Sequence, residues 1–425
     1  MVVGGGVIGL AAAHRLARAG ASVTVLERNE IGRGCSAGNL GWICPSIALP
    51  IPSPGLRAKG LKWFAKPDSP LYIKPSALPE LAPWLARFWG YCHRKAFDHG
   101  TSLLTSFASD ALALYEELAK ELDEHGIEWH RRGLLMVFRD AKALAEEIAL
   151  IEGHGYRGLR RLDESELLEL EPALPAGCYA GGLHVEPEGH VEPLRLSVAL
   201  AASARAYGAE IREGFRVDEL VFEPDAHRTH AVAVAGQIDG ESVEVEAGQV
   251  LIATGAEAGR LATDCGISIP LQAGKGYSIT MTSPRVELRR PVYLAETKLG
   301  VTPFDGALRV AGTLELSGIN HKLDGRRLAG IERLAERGLP GVTRGGERRD
   351  WVGMRPLTPD GLPLIGRLPG VDNVWLATGH QMLGVTLAPA TARLLAAWLL
   401  NERDPVLAEA EAEEFEKAFS VGRFA

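Results

Sequence analysis

Apolar residues along the chain recur in patterns that predict βαβ units. Near the N-terminus a strand end, Met1–Val3, precedes a helix over Val7–Ala19 that is rich in Ala and Leu. Gly20 closes this helix, and the apolar, β-branched run Ser22–Leu26 predicts a second strand. The continuously apolar run Val250–Ala253 predicts a buried parallel strand. Parallel neighbours need a crossover helix, so the first two strands and their helix form one unit.

Between these elements the pattern changes. Residues 82–126 and 141–154 carry helical periodicity, and residues 162–174 predict a short acidic helix. Residues 192–214 predict a helix, a glycine cap and a strand, whereas residues 270–315 alternate like antiparallel strands. Near the C-terminus "NVWLAT" and the apolar run after it predict a strand and a helix. The chain therefore combines parallel and antiparallel parts.

The first glycines form the motif Gly4-x-Gly6-x-x-Gly9 between a strand and a helix. Gly4 permits a tight turn, Gly6 allows the backbone to approach a pyrophosphate, and Gly9 allows close packing of helix and strand. The N-terminus of the helix attracts the phosphates. Glu27 ends the second strand, where an acid binds ribose hydroxyls and disfavours a 2′-phosphate. These residues predict a dinucleotide site that does not take NADP.

The segment after Glu27, "GRGCSAGNLG", is rich in glycine and polar residues. It fits a ligand longer than NAD, with Ser36 and Asn39 as hydrogen-bonding side chains. A second glycine turn, Thr254-Gly255, follows the buried strand and permits close approach beside the dinucleotide. The remaining candidate cofactor-binding residues are Val7, Ile8, Arg28, Leu40, Gly41, Val217, Gly353, Gly379, His380, Leu383, Gly384 and Thr386.

Two C-terminal motifs carry candidate chemistry. In "GMRPLTPDGLPLIGR", Pro356 holds Arg355 in an extended backbone, and the arginine fork is the preferred partner of a carboxylate. In "TGHQMLGVT", a glycine-bounded turn begins a helix whose positive end suits an anionic ligand. His380 in that turn is a candidate catalytic residue, and a purely hydrogen-bonding role is an equally strong alternative.

The distribution of these motifs predicts a dinucleotide-binding domain made of separate segments, with a second domain inserted between them. We assign residues 1–46, 190–262 and 350–425 to the dinucleotide-binding domain. Residues 47–189 and 263–349 form the predicted substrate-binding domain. The 425 residues are ample for two cores of this size.

Composition narrows the function classes. A net charge of -8 gives no basic excess for nucleic acid. The five cysteines are scattered and form no CxxC pair, so we predict neither a disulfide framework nor a metal site, and we expect a reducing, cytoplasmic compartment. We predict no membrane-spanning segment and no signal peptide.

The motifs together resemble those of the FAD-dependent D-amino-acid oxidase superfamily, and they are most similar to its bacterial D-amino-acid dehydrogenase branch. The likeness includes "SAGNLG", "ATGAEAG", "KGYS", "RPLTPDGLPLIGR" and "TGHQMLGVT", and it spans nearly the whole chain. It implies an α/β fold, with a Rossmann-like FAD-binding domain of discontinuous segments plus a substrate domain containing a mainly antiparallel sheet and helices. Near the C-terminal motifs no cysteine is found, so the implied FAD is non-covalent.

The resemblance also implies a reaction: oxidative deamination of a D-amino acid to a 2-oxo acid and ammonia. Our hypothesis is hydride transfer from Cα to flavin N5, with the substrate carboxylate on Arg355. A tyrosine assists carboxylate binding in related enzymes; Tyr277 is our candidate, with Tyr293 and Tyr72 as alternatives. A quinone or another acceptor takes the electrons. Basic and aromatic residues in segment 55–66 suggest peripheral contact with the inner face of the cell membrane.

The sequence leaves several alternative functions open. The amine donor is alternatively glycine, D-proline, hydroxyproline or an N-substituted amino acid, and the enzyme is either an oxidase or a dehydrogenase. An NAD-dependent dehydrogenase is a second alternative. A third, of another class, is a flavin-binding assembly protein without turnover. The sequence predicts neither the oligomeric state nor the stereochemistry of the substrate.

Overall fold

The computed structural model describes residues 1–56, 69–156, 158–223, 229–401 and 409–424. The helices within these ranges are α1 (Val7–Arg18), α2 (Leu78–Tyr91), α3 (Arg94–Ala108), α4 (Ala111–Glu121), α5 (Ala141–Gly153), α6 (Glu164–Leu170), α7 (Pro193–Ala206), α8 (Ala258–Asp264), α9 (Gly325–Gly338), α10 (Gly384–Leu399) and α11 (Glu409–Phe419).

The strands belong to four sheets. In chain order they are β1 (Val2–Val3), β2 (Thr24–Leu26), β3 (Trp42–Ile43), β4 (Leu71–Ile73), β5 (Trp129–His130), β6 (Leu134–Phe138), β7 (Leu159–Leu162), β8 (Gly181–Val185), β9 (Gly189–Val191), β10 (Glu210–Arg212), β11 (Arg216–Phe222), β12 (Ala231–Ile238), β13 (Glu241–Glu246), β14 (Val250–Ile252), β15 (Gln272–Thr282), β16 (Val292–Leu294), β17 (Leu299–Phe304), β18 (Ala307–Leu316), β19 (Arg348–Leu357), β20 (Leu364–Arg367) and β21 (Val374–Thr378).

The first sheet has six strands in the order β10-β2-β1-β14-β21-β20. All neighbours are parallel except the last pair, β20 and β21, which is antiparallel. Strand β1 has only two residues, yet it lies between β2 and β14, and both of its valines are buried. Helices α7 and α10 both pack against α1 beside this sheet, and its central strands β1, β14 and β21 are almost wholly apolar and buried.

The large sheet has nine strands, in the order β19-β15-β18-β17-β16-β6-β8-β7, with β4 paired to β18. Most pairs are antiparallel; β16–β6 and β18–β4 are parallel. One face carries alternate apolar residues such as Ile279, which pack against apolar residues of α9 such as Ile331. The other face carries small residues, among them Gly276 and Gly300, which lets loops approach it closely. The predicted α/β fold class, with its parallel and mainly antiparallel parts, is confirmed.

The two larger sheets draw on different parts of the chain. Strands of the parallel sheet come from the three segments assigned to dinucleotide binding. Strand β19 (Arg348–Leu357) lies almost wholly in the third of these segments, but it forms an edge of the large sheet. The domain boundaries themselves stay a prediction.

Segment 55–66, the candidate membrane contact, lies outside the described residues except for Gly55 and Leu56. In the part of the chain that the structure describes, no helix combines the length and the apolar character needed to cross a membrane.

Candidate active site

The glycine motif forms a tight junction between β1 and α1. Gly4 has φ +110°, and a Cβ there would lie 2.6 Å from the carbonyl oxygen of Ala253. A Cβ on Gly9 would overlap the carbonyl oxygen of Gly4. Both positions therefore require glycine because of contacts within the protein itself.

Gly6 differs from its two neighbours in the motif. A Cβ there would meet nothing closer than the Ser36 hydroxyl oxygen, at 3.5 Å. Gly6 lines an open cavity at the N-terminus of α1, where the N–H of Val7 donates to Ser36 Oγ at 3.0 Å. The absence of a side chain at Gly6 leaves space for a ligand to approach the helix N-terminus.

This cavity has a volume of about 470 Å³. Its walls come from the ends of β1, β2, β14 and β21, from the loop after Glu27, from β11 and from the start of α10. The predicted cofactor-binding residues that line it are Gly4, Gly6, Val7, Ile8, Glu27, Arg28, Ser36, Asn39, Val217, Thr254, Gly255, His380 and Gly384. Local motifs distant in sequence thus converge on one space.

The remaining predicted residues, which do not line the cavity, are Gly9, Leu40, Gly41, Gly353, Gly379, Leu383 and Thr386. Several of them support the wall. Gly41 has φ +72°, and its N–H donates to the side chain of Asn39 at 2.7 Å. The hydroxyl of Thr386 donates to the carbonyl of Trp42 at 2.8 Å, which ties the loop to α10.

Two charged groups stand at one end of the cavity. The carboxylate of Glu27 accepts the N–H groups of Gly5 at 2.7 Å and Asn29 at 2.9 Å. Arg28 pairs with Glu257 through two hydrogen bonds of 2.5 and 2.6 Å, and this pair is partly exposed. The acid predicted to bind a ribose therefore faces the cavity from the end of β2.

The features of the cavity fit FAD. Gly6 leaves room for a pyrophosphate, and the Cβ position of Gly255 is open. The hydroxyl of Thr254 lines the cavity and is buried without a hydrogen-bond partner among the described residues. A buried hydroxyl of this kind calls for a polar ligand. At the other end, α10 directs its positive N-terminus, beginning at Gly384, toward the cavity.

His380 lines the cavity but is almost fully buried. Its Nε2 lies 3.1 Å from the hydroxyl of Thr391, within hydrogen-bonding distance. Burial lowers the pKa of His380 to about 3. The ring is therefore neutral near pH 7, which favours the hydrogen-bonding alternative over proton transfer.

We predict that the stability of the protein falls as the pH drops below 6.5, because His380 and His190 both have a folded pKa of about 3 owing to burial. The unfolded chain binds these protons between pH 3 and 6.5, so protonation favours unfolding in that window. Glu188, with a pKa raised to about 7 by burial, acts in the opposite direction and stabilises most below pH 4.5. Urea unfolding from pH 7.5 to 5 measures the sum.

His380→Asn removes one of these groups and should flatten the decline by up to about 1.4 kcal/mol per pH unit. His125→Asn, at a half-exposed position of a 3₁₀ turn, is the control. A decline equally steep in His380→Asn and wild type would contradict the buried, neutral state of His380.

Arg355 lies on β19, directly between Met354 and Pro356, which both line the cavity. Its Nη1 donates to the carbonyl of Thr313 at 2.7 Å. Among the described residues no carboxylate lies within ion-pair distance of Arg355. Desolvation lowers the pKa of Arg355 below its usual value, so the buried environment opposes the charge. This uncompensated cation is a candidate site for an anion.

The structure separates Tyr277 from Arg355. The guanidinium of Arg355 lies over Gly276. Because neighbouring residues in a strand face opposite sides of the sheet, Tyr277 faces away from Arg355. Tyr277 is fully buried against α9, and its hydroxyl donates to Glu315 at 2.8 Å. Tyr277 and Arg355 therefore do not face the same space, and the prediction that they bind one carboxylate together does not agree with the geometry.

The two alternative tyrosines also differ in position. Tyr72 pairs in register with Glu315 and so lies on the same face as Tyr277. Tyr293 lies opposite Gly300 on β17 and packs edge-on against Trp42, with ring centroids 5.8 Å apart. Tyr293 therefore faces Trp42, which follows the glycine-rich segment after Glu27. Its strand, β16, is four strands from β19, which carries Arg355, so the two backbones are roughly 19 Å apart.

Sequence reasoning missed Arg309. Its guanidinium donates to the carbonyl of Asn39 at 2.7 Å and to Glu192 at 2.9 Å, and burial lowers its pKa. It therefore connects the large sheet to the cofactor loop and to the start of α7. The local sequence signal for its burial is that it lies between apolar residues in the predicted strand "ALRVAG".

Comparison with known proteins supports this description. The profile of the DAO family, described as FAD dependent oxidoreductase, matches residues 1–398. A curated "D-amino acid dehydrogenase" of Methylobacterium nodulans is 34% identical, covering 96% of each chain. One of Vibrio vulnificus is 31% identical, covering 95% of this chain and 96% of the relative.

Solved structures share the fold. Glycine oxidase from Geobacillus kaustophilus superposes with a TM-score of 0.74 at 23% identity, over 99% of this chain and 97% of that one. L-proline dehydrogenase from P. horikoshii gives 0.71 at 20% identity, over 100% and 96%. With a profile match over most of its length and curated relatives above 30% identity, the chain belongs to the DAO family of FAD-dependent oxidoreductases.

Proposed function

We propose that this enzyme oxidatively deaminates D-amino acids to 2-oxo acids and ammonia, and that it passes the electrons to a quinone or another acceptor. The observation that carries the proposal is Arg355, a largely buried cation without a carboxylate partner among the described residues. An unpaired buried charge is costly unless a ligand compensates it. A planar carboxylate is the ligand that a guanidinium binds best.

The residues proposed to hold FAD are those of the cavity. Glu27 binds the ribose, Gly6, Ser36 and the N-terminus of α1 accommodate the pyrophosphate, and Asn39 and the N-terminus of α10 bind the flavin end. When bound, FAD supplies the two-electron acceptor for the substrate. The family supports this cofactor, and the proposed attachment is non-covalent.

The protein's own part in the reaction is then mainly positioning. Arg355 fixes the carboxylate of the substrate, which restricts where its Cα–H points. His380 is neutral and bonded to Thr391, so we assign it no proton transfer. The acidic side chains of the cavity, Glu27, Asp218 and Glu257, lie on the elements of its ribose end. Orientation alone contributes several kcal/mol to such reactions.

The proposed preference for D-amino acids rests on the relatives named "D-amino acid dehydrogenase". Solved structures with the same fold include a glycine oxidase and an L-proline dehydrogenase, so the fold does not decide the substrate.

The test is anaerobic reduction of the purified flavoprotein. D-alanine is expected to bleach the flavin absorbance, whereas L-alanine, glycine and D-proline bleach it slowly. D-alaninamide, which lacks the carboxylate, is the control for Arg355. Rapid bleaching by glycine or D-proline instead would reassign the amine donor, and no bleaching by any amino acid would indicate a flavin-binding protein without turnover. Reoxidation by ubiquinone-1, a dye or oxygen then distinguishes the acceptors.

A further inference from the structure

The guanidinium of Arg355 rests directly on the large sheet. It extends from β19 across β15, where a Cβ on Gly276 would lie 2.5 Å from both Nη1 and Nη2. Nothing larger than hydrogen fits at position 276 while Arg355 keeps this position. Gly276 has no positive φ, so this glycine is required by the arginine above it and not by its own backbone.

The guanidinium also donates a hydrogen bond to a residue with a strained backbone, Thr313. Thr313 on β18 has φ +62°, in the left-handed region that a β-branched residue rarely adopts. The register of β15 and β18 shifts at this point, between Lys275 and Tyr277. The Thr313 carbonyl accepts the hydrogen bond from Arg355 Nη1 at 2.7 Å. The hydroxyl of Thr313 is buried and has no hydrogen-bond partner in the part of the chain that the structure describes.

Neither Gly276 nor the bulge at Thr313 stabilises the sheet. The bulge interrupts the ladder of hydrogen bonds between the strands, and left-handed backbone at a β-branched residue costs of order 1–3 kcal/mol. Both features contact Arg355: Gly276 makes room for its guanidinium, and Thr313 supplies the one hydrogen-bond acceptor that this side chain has among the described residues. An arginine has five N–H donors, so most of them stay available to a ligand.

We propose that Gly276 and Thr313 are positioning residues, which together hold the Arg355 guanidinium in the plane that binds the substrate carboxylate. This inference rests on the proposed carboxylate-binding role of Arg355. A Cβ at position 276 would move the guanidinium by about 1 Å to restore normal contact, and misplacement by that amount can cost about 10²-fold in rate.

The experiment uses the holoenzyme and compares kcat/KM for D-alanine with that for D-alaninamide. Gly276→Ala is expected to lower the preference for D-alanine at least tenfold, mainly through KM. Thr313→Gly keeps the carbonyl but lets it turn, so its loss should be smaller, with no fall in Tm. Gly182→Ala, on β8 of the same sheet, brings a Cβ 2.8 Å from a Leu167 methyl and should keep the preference.

Arg355→Ala distinguishes the carboxylate role of Arg355 from the positioning role of Gly276 and Thr313. If this variant, which has no cation at position 355, keeps the preference for D-alanine over D-alaninamide, the carboxylate role of Arg355 is overturned. If it loses the preference while Gly276→Ala retains it, only the positioning role of Gly276 and Thr313 is overturned. A loss in Thr313→Gly as large as that in Gly276→Ala would assign the effect to the threonine side chain and overturn the role of its carbonyl. Tm values, together with Gly182→Ala, identify losses that come from misfolding.

Discussion

Arg355→Ala is expected to lower kcat/KM for D-alanine by about 10²- to 10³-fold, the equivalent of losing one buried, charge-assisted hydrogen-bonded pair with the substrate. The loss should appear mainly in KM, because the interaction is made with the carboxylate both before and during the reaction. Removing a cation that has no carboxylate partner in the described structure should leave the fold intact.

Two comparisons sharpen this prediction. D-alaninamide, already without the carboxylate, should react equally well with wild type and Arg355→Ala. The FAD content of the variant should be unchanged, because Arg355 does not line the cofactor cavity. Stopped-flow reduction at several substrate concentrations gives both parameters. A wild-type KM in Arg355→Ala would remove Arg355 from the substrate site.

Gly9→Ala and Gly6→Ala are expected to fail in different ways, although both add one methyl group to the same motif. At Gly9 the methyl overlaps the Gly4 carbonyl, so α1 must move off β1, at a cost of about 1–3 kcal/mol or more. At Gly6 the nearest atom is 3.5 Å away, which is ordinary contact. The apoprotein of Gly6→Ala should therefore lose only about 0.5 kcal/mol, the scale of a small change at a helix N-cap.

The affinity for FAD should fall at least tenfold in Gly6→Ala, because the methyl enters the space proposed for the pyrophosphate. Urea unfolding of the apoproteins and fluorescence titration with FAD measure the two effects separately. Gly259→Ala on α8, with its nearest atom at 3.6 Å, is the matched control, and it should change neither value. An unchanged FAD affinity in Gly6→Ala would place the pyrophosphate elsewhere.

The sequence was informative where a function depends on short spacing. The turn from β1 into α1, with Glu27 one strand later, is local, and its glycines can be assigned roles before any fold is known. The strand Val250–Ala253 could be predicted as buried and parallel because both of its faces are apolar. The structure gives β14 as Val250–Ile252, between β1 and β21.

What the sequence could not provide was the assignment of faces. Alternation places Gly276 and Tyr277 on opposite sides of β15, but which side meets the cofactor depends on α9, about 50 residues further on. The family resemblance implies a tyrosine at the substrate carboxylate and makes Tyr277 the candidate, whereas in the structure its hydroxyl donates to Glu315. The strand β17 lies within the region 270–315 predicted to alternate, but its sequence LGVTPF does not alternate, and all six of its residues are buried.

The contacts of Arg309 limit how the enzyme can open to admit a substrate. This arginine joins β18 to the loop at Asn39 and to Glu192 at the start of α7. Both charged side chains are mostly buried, and separating such a pair costs about 3–5 kcal/mol. Rigid-body rotation of the large sheet away from the parallel sheet would pull this junction apart. We therefore expect the substrate to enter through smaller movements at the periphery of the protein. The large sheet and the parallel sheet then stay joined at Arg309 during each turnover.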